Sequence, residues 1–322
     1  MHKSIVALAG TATIFGALSL AGPLALASPV GGSGLDLAAL DRSIKPGDDF
    51  FDYAVGTWYA HADMPADHSE LGLEQETSEK VHDQLQTLIE DDASRPRDAN
   101  ARLIGALYNS YIDEQRIEAL DAKPLQPDLA QIAAVRDRSG IARLMGESWS
   151  DFGTDAFTLL IQPDAHRPFN APTIGQGGLG LPSRDYYLAS DFSKQRDAYQ
   201  AYAARTLRMI GVAKPDEAAT SIIRFETRIA KVSWDEAEQR QVDKTYNPMS
   251  IAQLEAYAPG FDWRSYLSGA RVSRQNRVVI AEKTAVRDVA RIIAQTPLTT
   301  LRLWQTFHTV DNASPFLSHR FA

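Results

Sequence analysis

The chain has 322 residues, 44% hydrophobic and 23% charged, the balance of a folded protein with room for one large domain or two. Against 41 Asp and Glu stand 33 Lys and Arg, a net charge of −8, so the basic footprint of a nucleic-acid binder is missing and anionic membrane surfaces are disfavoured. Cysteine is absent, which excludes a disulfide framework and thiol chemistry and leaves stability to a hydrophobic core.

Residues 1–27 read as a secretory signal peptide. Lys3 supplies the positive charge, residues 5–20 are apolar apart from Gly, Ser and Thr, and Ala25-Leu26-Ala27 is an A-x-A cleavage site. The expectation is an exported chain, periplasmic or extracellular, with no stable membrane anchor after cleavage. Residues 28–40 follow as a flexible leader, rich in Gly, Ser and Pro as far as Gly34.

The folded region is expected over 41–322. Pro46-Gly47 marks a turn, and Asp48 or Asp49 caps a short helix carrying Phe50, Phe51, Tyr53, Ala54 and Trp58. Asp48, Asp49 and Asp52 lack the spacing of a calcium loop and read as caps and solvated surface. Residues 74–90 form an amphipathic helix with Val81, Leu85, Leu88 and Ile89 on one stripe. Residues 101–112 repeat the pattern with Ile104, Leu107, Tyr108 and Tyr111. Short helices are expected at 126–132 and 139–150, then a strand at 157–161 closed by Gln162-Pro163-Asp164.

Gly175, Gly177 and Gly180 match G-x-G-x-x-G, the phosphate-cradling turn of dinucleotide sites. Pro172 argues against a central strand feeding them, and Leu181-Pro182 against a helix opening on them. Residues 175–188 are therefore expected to be a loop leading into the helical second half, with Tyr186 and Tyr187 as packing anchors. Helices follow at 191–210 and 215–232, the latter with Pro215 at its first position and Ala219, Ile222, Phe225 and Ile229 on its apolar face. Asp235-Glu236-Ala237-Glu238 reads as a solvated helix face. Residues 246–250 read as a turn, Ser250 with Gln253 as a capping box, and Asp262 as the cap of a helix holding Trp263 and Tyr266. A strand at 277–281 and helices at 284–294 and 297–310 complete a mainly α fold with a few short β-strands.

Catalytic motifs are scarce. None of the histidines forms H-E-x-x-H, no G-x-S-x-G occurs, and no pair of carboxylates stands out. His61 and His68, with Asp63, Asp67 and Glu70, make the only cluster resembling a metal site, and Pro65 interrupts it. A small hydrolase using His61 and His68 is the weakest reading of the chain.

Three ordered groups of residues carry more information. The first is Pro46-Gly47-Asp48-Asp49-Phe50-Phe51-Asp52-Tyr53-Ala54-Val55-Gly56-Thr57-Trp58. The second is Gly178-Leu179-Gly180-Leu181-Pro182-Ser183-Arg184-Asp185-Tyr186-Tyr187-Leu188. The third is Phe225-Glu226-Thr227-Arg228-Ile229-Ala230, followed by Tyr246-Asn247-Pro248-Met249-Ser250 and Pro259-Gly260-Phe261-Asp262-Trp263. In this order the set resembles the N-terminal region of the neprilysin-like zinc metallopeptidases.

That resemblance implies the helical cap lobe of a two-lobed, exported or membrane-anchored endopeptidase whose chamber admits oligopeptides. It implies a zinc ion on the other, thermolysin-like lobe, held by the two histidines of H-E-x-x-H and a further glutamate, with the motif glutamate activating water. None of those residues occurs here. Zinc is thus expected in the complete family enzyme and not on this chain, which is expected to be truncated near the handover between lobes and inactive alone. Peptide substrates would be met through the missing catalytic lobe. One substrate-chamber contact is suggested, Glu70, where some animal members carry an arginine that binds a substrate's C-terminal carboxylate. A carboxylate there repels that group and favours endopeptidase behaviour. The alternative is a stand-alone exported peptide-binding protein without catalysis. A cap that faces another lobe is also expected to show an exposed apolar surface.

Overall fold

The computed structural model describes residues 35–66, 68 and 70–321, so the expected signal peptide, the start of the leader and Asp67 lie outside the described residues. Two compact units are present, Met1–Ala101 and Arg102–Ala322.

The described part of the first unit is built on α1 (Phe50–His61) and α2 (Leu73–Ser94). Asp49 is the cap of α1: its carboxylate accepts the Asp52 backbone N–H at 3.0 Å. The segment before the helix folds back on it, with Thr57 donating to Ala39 O and Asp41 to Tyr53 O. Trp58 Nε1 reaches Glu76 Oε1 on α2 at 3.1 Å. The stripe of α2 is present but uncovered: Val81, Leu85 and Leu88 are 44%, 48% and 61% exposed.

The helix α3 (Ala99–Ile112) starts at the boundary between units and also shows apolar side chains to solvent, Leu103, Leu107 and Tyr111 among them. The second unit continues with α4 (Glu114–Leu120), α5 (Gln126–Ala134), α6 (Arg138–Glu147), β1 (Phe157–Pro163) and β2 (Asn170–Gln176). Then come α7 (Arg184–Leu188), α8 (Ser193–Met209), α9 (Pro215–Val232), α10 (Glu236–Gln239) and α11 (Val242–Thr245). The unit closes with β3 (Asn247–Ser250), α12 (Ile251–Tyr257), α13 (Trp263–Gly269), β4 (Arg277–Ile280), α14 (Lys283–Gln295) and α15 (Leu298–Ala313). The fold is mainly α, as the sequence pattern indicates. Its core is the meeting of α8, α9, α14 and α15 through Leu207, Ile222, Phe225, Val289, Trp304 and Phe307, all fully or almost fully buried.

The four strands form one sheet in the order β1-β2-β4-β3, with β2 parallel to β4 and the other pairs antiparallel. Two expectations are corrected here. Pro172 does lie in a central strand, β2, opposite Ile161 of β1. Its ring is tolerated because of where its nitrogen points. Ala281 N–H donates to Ile174 O, so Ile174, and with it Pro172 two residues earlier, turns its backbone groups toward β4. The β2–β4 ladder starts only at Thr173, so no ladder bond needs an N–H from Pro172. Residues 247–250 are not a bare turn but the strand β3, paired from Asn247↔Ile280 to Ser250↔Arg277. As an outer strand it accommodates Pro248.

Candidate functional site

Residues 176–179 and 181–185 line a cleft of about 490 Å³ in the second unit, together with Asp155, Trp234 and Asp235 among others. One wall is the end of β2. The Gln176 side chain there is held at both ends: its Nε2 donates to Trp234 O at 3.1 Å and its Oε1 accepts Trp234 N–H at 2.7 Å. The Gln176 backbone N–H donates to Glu282 Oε2 at 2.9 Å.

The glycines serve packing. Gly178 has φ +82°, and a Cβ on Gly180 would stand 1.9 Å from the Tyr199 hydroxyl. The chain must lie directly on the core there. A strand does precede the G-x-G-x-x-G run, but no helix opens on it: α7 has five residues and starts beyond Pro182. The spacing is that of a tightly seated loop rather than a phosphate cradle.

Beneath the loop lies a buried polar network centred on Glu226. Gly180 and Leu181 both donate their N–H to Tyr187 Oη, at 3.0 and 2.9 Å. Tyr187 donates in turn to Glu226 Oε2 at 2.9 Å. Glu226, on α9, is wholly buried. Its Oε1 receives Tyr199 Oη at 3.3 Å and Trp304 Nε1 at 3.0 Å, and His308 Nε2 lies 2.7 Å away. Burial first, then the Glu226 charge, push the Tyr187 and Tyr199 hydroxyls far above the usual phenol range. Tyr186 stacks on Phe192 at 4.1 Å, so both tyrosines anchor the loop. The signal was legible: Glu226 stands four residues after Ile222, on the apolar face of its helix, and His308 four after Trp304.

Asp155 stands half-buried in the cleft wall. Tyr266 Oη donates to its Oδ2 at 2.6 Å and the Phe157 N–H to its Oδ1 at 2.9 Å. Burial outweighs those bonds and pushes its carboxyl up to about 8. Arg184 donates from Nε to Ala230 O at 3.3 Å. Charged acids outnumber it, with Asp185, Asp235 and Glu236 on the lining. Nothing here pairs a nucleophile with a base. The arrangement is suited to binding.

The residues proposed for a metal go elsewhere. His61 Nδ1 lies 2.7 Å from Thr57 O, one turn back on its own helix. His68 Nε2 meets Glu79 Oε1 at 2.8 Å, and Glu70, exposed, accepts from Gln75 Nε2 at 2.8 Å. No group of three or more His, Cys, Asp or Glu able to hold a metal occurs among the described residues. These side chains do not fit a zinc ion. Among the described residues no helix is long and apolar enough to cross a membrane.

Residues 46–322 match the N-terminal profile of peptidase family M13, and the chain belongs to this family. Endothelin-converting enzyme-like 1 of Rattus norvegicus is 27% identical over 303 residues, covering 88% of this chain and 39% of the relative. Endothelin-converting enzyme 1 of Bos taurus is 26% identical over 300 residues, covering 88% and 40%. The chain therefore spans about two fifths of the length of these curated relatives. The fold is shared with the zinc metalloprotease Zmp1 of Mycobacterium tuberculosis in its open state, with a TM-score of 0.77 at 24% identity over 86% of this chain and 44% of that one. PepO of Lactobacillus rhamnosis shares it at a TM-score of 0.65 and 16% identity, over 86% and 45%.

Proposed function

We propose that this chain is the non-catalytic, substrate-restricting part of an exported zinc metalloendopeptidase. It caps the chamber in which a separate lobe, carrying H-E-x-x-H and zinc, hydrolyses peptide bonds of oligopeptides. The observation that carries this reading is the family match over 46–322 in a sequence that holds no H-E-x-x-H. Zinc belongs to the other lobe, and the chain by itself does not hydrolyse peptides. Glu70 faces the chamber and disfavours a free substrate carboxylate.

The test is direct. Purified chain, supplied with zinc and a quenched fluorescent decapeptide, is expected to give no cleavage above blank. Cleavage abolished by a chelator would overturn the claim of inactivity. In an enzyme joined to its zinc lobe, Glu70→Arg is expected to improve cleavage of short substrates with free C-termini relative to amidated ones. An unchanged ratio removes Glu70 from the chamber.

A further inference from the structure

The outer edge of β1 is an open hydrogen-bonding ladder. Ile174 and Pro172 turn their backbone groups toward β4, so their partners across the β1–β2 pair, Leu159 and Ile161, exchange no bonds with them. The N–H and C=O groups of Leu159 and Ile161 therefore point away from the sheet. Phe157, two residues earlier in the same phase, confirms the direction: its N–H is taken by the side chain of Asp155 and not by β2. β1 is terminal in the strand order, and no other described residue of this unit pairs with its outer side.

This edge lacks the usual protection. Phe157–Pro163 reads Phe-Thr-Leu-Leu-Ile-Gln-Pro, with no charge and a proline only at its far end. Leu160 and Ile161 are 57% and 55% exposed. At the other end Phe157 and Thr158 form part of the cleft wall, together with Asp185, Asp235 and Glu236, whose charges outnumber that of Arg184. A chain laid along β1 thus runs from an apolar, ladder-bearing edge into an acidic recess.

We infer that the edge of β1 docks an extended peptide as a fifth strand, with a lysine or arginine of that peptide drawn into the acidic cleft. The unpaired ladder demands an extended backbone, and the charge of the recess selects a basic side chain. Binding of this kind needs neither zinc nor hydrolysis, so it stands or falls apart from the peptidase reading.

The experiment uses the full chain and a labelled peptide, Lys-Val-Thr-Val-Thr-Val-Lys, with the Glu-ended counterpart as control. Amide exchange is read residue by residue. The Leu159 and Ile161 amides are expected to slow on binding, while Thr158, Leu160 and Gln162, already bonded to β2, stay unchanged. At low salt the Lys peptide is expected to bind about tenfold more tightly than the Glu peptide, the difference shrinking as salt screens the recess. Ile161→Pro deletes one outward donor and is expected to weaken binding about three- to tenfold with the thermal melt unchanged. Three outcomes overturn the inference. One is uniform or absent protection along β1. Another is undiminished binding by Ile161→Pro. The third is protection without peptide that grows with protein concentration, which assigns the edge to a second copy of the chain. Should the proline disturb the strand, the alternation of exchange in the unaltered chain decides alone.

Discussion

Two helices with similar sequence patterns meet opposite fates. On α2, Val81, Leu85 and Leu88 recur at helical spacing and stay about half exposed. On α9, Ala219, Ile222, Phe225 and Ile229 recur in the same way and are fully or almost fully buried. Periodicity writes a face on a helix. It does not name what covers that face. The helix α9 has α8, α14 and α15 around it within the second unit, whereas the stripe of α2 has no comparable cover in the described part of its own unit.

That contrast ranks the expected effects of substitution. The largest belongs to the buried network. Glu226→Leu fits the apolar face but strips Trp304, Tyr187, Tyr199 and His308 of their partner. A loss of about 3–5 kcal/mol in urea unfolding is expected. A loss under about 1 kcal/mol would mean that the network contributes no more than an exposed pair.

Gly180→Ala comes next, because its methyl group would overlap the Tyr199 hydroxyl. About 1–3 kcal/mol is expected, with part of it recovered when Tyr199→Phe removes the hydroxyl. Strict additivity of the two changes would show that the loop moves away instead of clashing.

The pH dependence follows from two carboxyls of opposite sign. Asp155 has its carboxyl raised from 3.8 to about 8 by burial. The folded state then holds a proton that the unfolded state has released, so its contribution is complete below about pH 4 and is lost as pH rises toward 8. Asp164 is lowered to about 2, first by Arg277, with Tyr246 and the His166 N–H adding to it. Its contribution is present above about pH 4 and is lost as pH falls toward 2. Melting temperatures across pH 2–9 check both limbs. Asp155→Asn is expected to flatten the upper one and Arg277→Gln the lower one. A curve unchanged by Asp155→Asn removes that carboxyl as the cause.

The smallest effect is reserved for α2. Leu85→Ser on the exposed stripe is expected to change stability by less than about 0.5 kcal/mol, against about 2–5 kcal/mol for Ile222→Ala on α9. Comparable losses at both positions would show that the stripe of α2 is covered after all.

Much of the fold was legible because local chemistry set it. Pro215 and its first-turn acids start α9 where expected, and the Ser250–Gln253 capping box and the Asp262 cap are formed. The strands were harder. Pro172 and Pro248 each look like strand breakers, and only the sheet order shows that neither nitrogen is asked for a bond. The cleft was illegible for a similar reason. Asp155, Gln176 and Trp234 are distant in sequence, and only their pairing through the fold makes a wall of them. Glu226 was the missed clue, an acid on an apolar face whose only reasonable explanation is a set of buried donors.

The sheet order has a consequence for how the chain folds. β1 and β2 are joined by a short hairpin connection and can pair as soon as both exist. β4 arrives only after α7 to α13 have been made, and it must lie parallel to β2, a pairing that closes a long loop. The β2–β4 step is therefore expected to be late and slow, and substitutions such as Ile174→Val should speed unfolding more than they slow folding. Until that step is complete the hairpin has two open edges instead of one. During synthesis this is the segment most exposed to pairing with a wrong chain.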